Sequence, residues 1–139
     1  MRYRIITNNR KARNAFAGIH NLEVVFLEGG GYRDVLVEVR SLVQQGWHLI
    51  THPLASNLKP MQCPYKTVIV SESECAGTFL EDEEMIERSI EAVDKLTGGR
   101  IELPDWPEKI LSDYQTVDLA VVKSAMERSL LQQNISAGR

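Results

Sequence analysis

A chain of 139 residues, 43% hydrophobic and 25% charged, is long enough to bury roughly two-thirds of its unfolded surface without a disulfide or metal staple. A formal net charge of -3 at pH 7 argues against a protein held to nucleic acid by broad phosphate neutralisation. No apolar run approaches the ~20 residues of a membrane-spanning helix.

The chain starts with MRYRIITNNR, which enters a strand-like stretch without the apolar segment of a signal peptide. Tyr3 to Thr7 reads as the first strand. Asn8 and Asn9 offer N-cap side chains for a short helix over Lys11 to Ala17, which Gly18 ends. Residues 23 to 27, EVVFL, form a β-rich run without alternation, the pattern of a strand covered on both faces. After Gly29-Gly30-Gly31, the residues Val35, Leu36, Val39, Leu42 and Val43 fall on one helical face, and Gly46 supplies the stop. His48 to Thr51 reads as the third strand and Thr67 to Val70 as the fourth.

The second half reads as helical. Thr78-x-x-Glu81 resembles a capping box, and the acidic run Glu81 to Glu84 complements a helix N-terminus on a solvated face. Ile86, Ile90, Val93 and Leu96 keep that helix amphipathic until Gly98-Gly99. Asp105-x-x-Glu108, with Pro107 in the first turn, starts a further short helix. The last helix runs from Tyr114 to roughly Leu131, with Val117, Val121, Val122, Ala125 and Met126 inward. The polar tail from Gln132 to Arg139 reads as frayed.

This order of strands and helices predicts one α/β domain over residues 1–139, a small three-layer domain. Its sheet is expected to be mainly parallel, with about four strands, and its C-terminal part helical. The direction of the fourth strand is left open, because the connection before it has no helical pattern. Ligands of open parallel sheets bind beyond the carboxyl ends of the strands. If the strands order as 2-1-3, the ends of the first and third flank a crevice.

The candidate ligand-binding residues at those ends are Asn8, Asn9, Thr51, His52, Ser56, Asn57, Lys59, Tyr65 and Lys66. Each has a plainer reading. Asn8 and Asn9 serve as a cap, a loop histidine such as His52 makes structural hydrogen bonds, and Lys59 and Lys66 are solvated. Gly29 to Gly31 matches neither GxGxxG nor GxxxxGK[ST] and reads as a turn. Cys63 has no histidine at a motif distance, and the two cysteines, Cys63 and Cys75, form no CxxC, so both are expected as free thiols. With three histidines and no ligand spacing, no metal is expected, and no cofactor fingerprint is present. No catalytic motif emerges, and the only acid–base candidate is His52. The chain reads as a cytoplasmic protein with no nucleic-acid or membrane partner.

Several stretches together resemble the GrdX family, proteins encoded with the glycine reductase system of amino-acid-fermenting anaerobes. They are IITNN (5–9), VLVEVRSLVQQGWHLITHPL (35–54), SNLKP (56–60) and PYKTV (64–68), with a weaker echo in DYQTVDLAVV (113–122). The resemblance implies a small accessory protein of glycine, sarcosine or betaine reductase pathways, without established catalysis. Cys63 is not part of that family's pattern. Glycine reductase chemistry makes acetyl phosphate, so the resemblance suggests a small anionic metabolite, or a glycine reductase component, as partner. Two other readings stay open. One is an enzyme acting on a small carboxylate or phosphate metabolite, with His52 as acid or base and Lys59 holding the anion. The other is a protein-binding module or homodimer built on an apolar face of the last helix.

Overall fold

Four strands form one sheet in the order β2-β1-β4-β3: β1 (Tyr3–Thr7), β2 (Leu22–Phe26), β3 (His48–Leu49) and β4 (Thr67–Ser71). The computed structural model describes residues 2–53, 63–72, 79–97 and 104–136, and side chains within them except those of 79, 97 and 128–136. β1 and β2 run parallel, with Tyr3 opposite Leu22 and Thr7 opposite Phe26. β4 lies antiparallel to both β1 and β3.

The sheet is therefore mixed, which corrects the expectation of a mainly parallel one. β4 also fills the position between β1 and β3 where a crevice was expected. A parallel neighbour needs a crossover of a dozen or more residues, usually a helix, and none was legible between β3 and β4. An antiparallel neighbour needs only a return on the same edge. Ile50 and Thr51 extend the β3 pairing, both donating their N–H groups to the Ile69 carbonyl at 2.9 and 3.4 Å.

The helices are α1 (Arg10–Phe16), α2 (Tyr32–Gln44), α3 (Phe79–Thr97) and α4 (Glu108–Ser136). Asn9 caps α1 by accepting the Lys11 N–H at 3.0 Å. At the start of α2 the Asp34 carboxylate reaches back to accept the Gly31 N–H at 2.8 Å. Gly46, at φ 104°, takes the left-handed conformation that turns the chain out of α2 toward β3. α4 is continuous where the sequence suggested a short helix near 108 and a second from Tyr114. Nothing between Glu108 and Ser136 breaks it, because no Gly or Pro occurs there.

Adjacent residues of β1 feed opposite cores, as strand alternation requires. Ile6 joins Val68 and Val70 of β4 against Val35, Leu36, Val39 and Val43 of α2 and Ile86, Ile90 and Val93 of α3. Ile5 joins Ile69 against Ala12 and Phe16 of α1 and Val122 of α4, with Leu119 and Met126 packed alongside. The expected three layers are thus present: α2 and α3 on one face, α1 and α4 on the other. Each large aliphatic side chain buried this way contributes about 1.5–3 kcal/mol. Two expected inward positions lie nearer the surface, Leu96 at 37% exposure and Val117 at 39%. Arg33 of α2 binds Asp94 of α3 at 2.7 Å, and Arg40 binds Glu87 at 3.4 Å, closing that helix pair on its outer side. Among the described residues no helix is long and apolar enough to cross a membrane.

Candidate functional site at the carboxyl edge of the sheet

β1 and β2 end at one edge of the sheet, and antiparallel β4 begins there, with Thr67 opposite Thr7. β3 also ends at this edge, so Thr51 and His52 follow it there. The turn before α2 is drawn in by Asn8. Its Nδ2 donates to the carbonyls of Gly30 and Pro64, each at 3.0 Å, and its Oδ1 accepts the Lys66 N–H at 2.9 Å. One side chain thereby ties three chain segments together. Both of its Nδ2 protons are spent on the protein.

Asn9 does the same on the other side. Besides capping α1, its Nδ2 donates to Asp118 Oδ2 and to the Gln115 carbonyl, both at 2.9 Å. Asp118 reaches in from α4 and also accepts the Thr67 hydroxyl at 2.6 Å. Thr67 has spent its proton there, so the 2.7 Å contact between the two threonine hydroxyls has Thr7 as donor. Thr7 Oγ1 in turn accepts the Asn9 N–H at 3.0 Å. A continuous chain of donors, from backbone to hydroxyl to hydroxyl, thus ends on one buried carboxylate. Burial raises the Asp118 pKa, while the hydrogen bonds from Thr67 and Asn9, and then the charge of Lys66, oppose the rise.

Lys66 is the residue this edge does not satisfy. Its side chain is only 3% exposed, against the expectation of a solvated lysine. Its ammonium makes no hydrogen bond or ion pair with the described residues, and Asp118 acts on it only through space. Burial drives its pKa down from 10.5 to about 8, and the negative charge of Asp118 only partly offsets this.

Tyr65, also buried, accepts the Gln115 amide at its hydroxyl, 3.0 Å away, which leaves the phenolic O–H free to donate elsewhere. Burial, reinforced by Asp118 and Cys63, pushes the Tyr32 hydroxyl above its ordinary pKa, and that hydroxyl points at the Pro53 carbonyl at 3.4 Å. Cys63 is a free, buried thiol. Burial lifts its pKa to about 11, which makes it a poor nucleophile at neutral pH.

The remaining candidates divide. Thr51 is buried and structural, its hydroxyl accepting the Ile69 N–H at 3.0 Å. His52 is exposed and lines a groove of about 440 Å³ with Glu81, Met85, Arg88 and Ser89 of α3. Ser56, Asn57 and Lys59 lie outside the described residues, as do Cys75 and Thr78. The structure thus brings Asn8, Asn9, Tyr65 and Lys66 to one edge. It adds Thr7, Thr67, Gln115 and Asp118, which sequence reasoning missed. Asp118 had a readable signal: it stands four residues before buried Val122, on the inward stripe of α4, where a lone carboxylate is out of place. Among the described residues, no His, Cys, Asp and Glu side chains gather closely enough to hold a metal ion.

A model of the GrdX-like protein family matches residues 4–127. The chain belongs to the GrdX-like family. The match runs from β1 into α4 and so takes in both Lys66 and Asp118. It agrees with the resemblance carried by IITNN, the 35–54 stretch and PYKTV. No curated protein and no solved structure matches the chain.

Proposed function

We propose that this GrdX-like protein is an accessory protein of glycine reductase-type metabolism that binds a small anion at the carboxyl edge of its sheet, with Lys66 as the charged contact. The observation that carries this reading is the isolated Lys66 ammonium. Burying a charge that no counter-ion touches costs several kcal/mol, and an anionic ligand in direct contact recovers part of that cost. Tyr65 offers a second donor, and Asn8 and Asn9 act by holding the edge in shape. Family membership supports the accessory role and the link to glycine, sarcosine or betaine reductase systems. Acetyl phosphate, phosphate and small carboxylates are the ligands of matching charge.

The test is a thermal-shift series with phosphate, acetyl phosphate and glycine on the wild-type protein and on Lys66→Gln. A ligand at one hundred times its Kd adds about 2.7 kcal/mol to the stability of the protein that binds it. The expected result is a raised melting temperature for wild type with at least one anion and none for Lys66→Gln. Indifference of the wild-type protein to every anion would remove the reading.

A further inference from the structure

A buried amine that no neighbour holds is also a nucleophile in waiting. Lys66 is 3% exposed, and its Nζ has no hydrogen-bond or ion-pair partner among the described residues. Asp118, the nearby carboxylate, makes no ion pair with it; Asp118 Oδ2 accepts instead from the Thr67 hydroxyl at 2.6 Å and the Asn9 amide at 2.9 Å. The other lysines with described contacts differ. Lys11 Nζ donates to the Ser112 carbonyl and hydroxyl and to the Thr116 hydroxyl, and Lys95 pairs with Glu91 at 3.3 Å. The competing nucleophile at this edge, Cys63, is held in its thiol form by burial.

We propose that the Lys66 amine condenses reversibly with a small aldehyde or 2-oxo acid, holding it as an imine at the carboxyl edge of the sheet. This rests on the reading that the edge admits a small ligand and gives that ligand a chemical class. The neutral amine attacks the carbonyl carbon, forming a C–N bond as the carbonyl π electrons move to oxygen. A proton passes from nitrogen to that oxygen through water, giving a carbinolamine. The C–O bond then breaks, and the hydroxyl leaves as water after taking up a proton. The product is a C=N bond that can keep one positive charge where the ammonium stood, within the field of Asp118. No oxidant or second substrate is consumed. Desolvation makes the first step feasible at neutral pH, because it holds the amine pKa at about 8 and leaves a sizeable neutral fraction.

The experiment incubates the wild-type protein at neutral pH with acetaldehyde or pyruvate in the presence of cyanoborohydride, which reduces an imine to a stable secondary amine. Intact mass and peptide mapping then locate the adduct. Lys66 should be labelled about tenfold faster than the exposed Lys109 and Lys123 with at least one of the two probes. Lys66→Arg, which keeps the charge but forms no such imine, should lose the fast phase while retaining the wild-type circular dichroism spectrum. Equal labelling across lysines, or an unlabelled Lys66, overturns the proposal on wild-type protein alone, whether or not the variant folds. A parallel thermal shift with phosphate, which has no carbonyl, separates the two readings. Stabilisation by phosphate without a Lys66 adduct leaves anion binding standing and removes the imine; a Lys66 adduct without phosphate stabilisation does the reverse.

Discussion

Lys66 brings a positive charge to a place where water barely reaches it, and this fixes the sign of its contribution to stability. Its folded pKa, about 8, lies below the ordinary 10.5, so between those values the unfolded chain binds more protons than the folded one. Stability then rises with pH through that window, and the full penalty is present below it. A shift of that size, with the attraction to Asp118 already included, corresponds to about 3 kcal/mol. Lys66→Met should therefore stabilise the free protein by ~1–3 kcal/mol at pH 7 and remove the rise between pH 8 and 10.5. Urea denaturation at a series of pH values measures both. A rise of unchanged steepness in Lys66→Met would assign it to another group. The sequence marked Lys66 as a candidate beside the expected fourth strand, with a solvated lysine as its plainer reading, and burial could not be read from it. Burial follows from β4 lying inside the sheet and from α4 crossing over it, and neither is a local property of those five residues. Asn8 and Asn9 were legible as polar strand-end residues. Their roles as staples depend on partners as distant in sequence as Pro64 and Asp118.

At the scale of elements, periodicity exposed the helices, while strand direction stayed hidden. α2 and α3 fall where apolar spacing put them, because helix faces are written every three or four residues. The TVIVS run of β4 is buried at all five positions and fits either direction equally well. Its antiparallel course shows only in its pairing with β1 and β3. The acidic start of α3 was expected on a solvated face, yet Asp82 is turned inward. Its Oδ2 sits 3.2 Å from His48 Nδ1 and accepts the Leu49 N–H at 3.3 Å, pinning the first turn of α3 to β3. That bond matters because β3 is only two residues long and has few ladder bonds of its own. Asp82→Ala should cost about 1–2 kcal/mol in urea denaturation, the range for stranding a partly buried donor. It should also speed amide exchange at Leu49 relative to Val70, which sits in the middle of the sheet. Equal protection in wild type and variant would mean that α3 is held by its apolar face alone.

For the whole molecule, the sheet divides the interior into two cores that share strands but few side-chain contacts. Ile5 and Ile6 are both 0% exposed and belong to different cores. Ile5 stands opposite Ile69 in the β1·β4 register, and both pack against α1 and α4. Val39 lies across the sheet, among the side chains of α2. Additivity holds when sites share no partners and fails when they share a cavity, so this geometry makes a double-mutant cycle informative. Ile5→Ala alone should cost about 2–5 kcal/mol and Ile69→Val about 0.5–1.5 kcal/mol. Combined, they should depart from additivity by ~0.5 kcal/mol or more, because the space left by the first change alters the packing around the second. Ile5→Ala with Val39→Ala should instead sum to within about 0.5 kcal/mol. The cycles are read from urea midpoints at constant slope, so that a change in the unfolded state is not mistaken for coupling. Coupling between Ile5 and Val39 as large as that between Ile5 and Ile69 would mean that the sheet transmits strain between its faces. In that case a ligand pressing on Lys66 and β4 would be felt in both helical layers instead of at the edge alone.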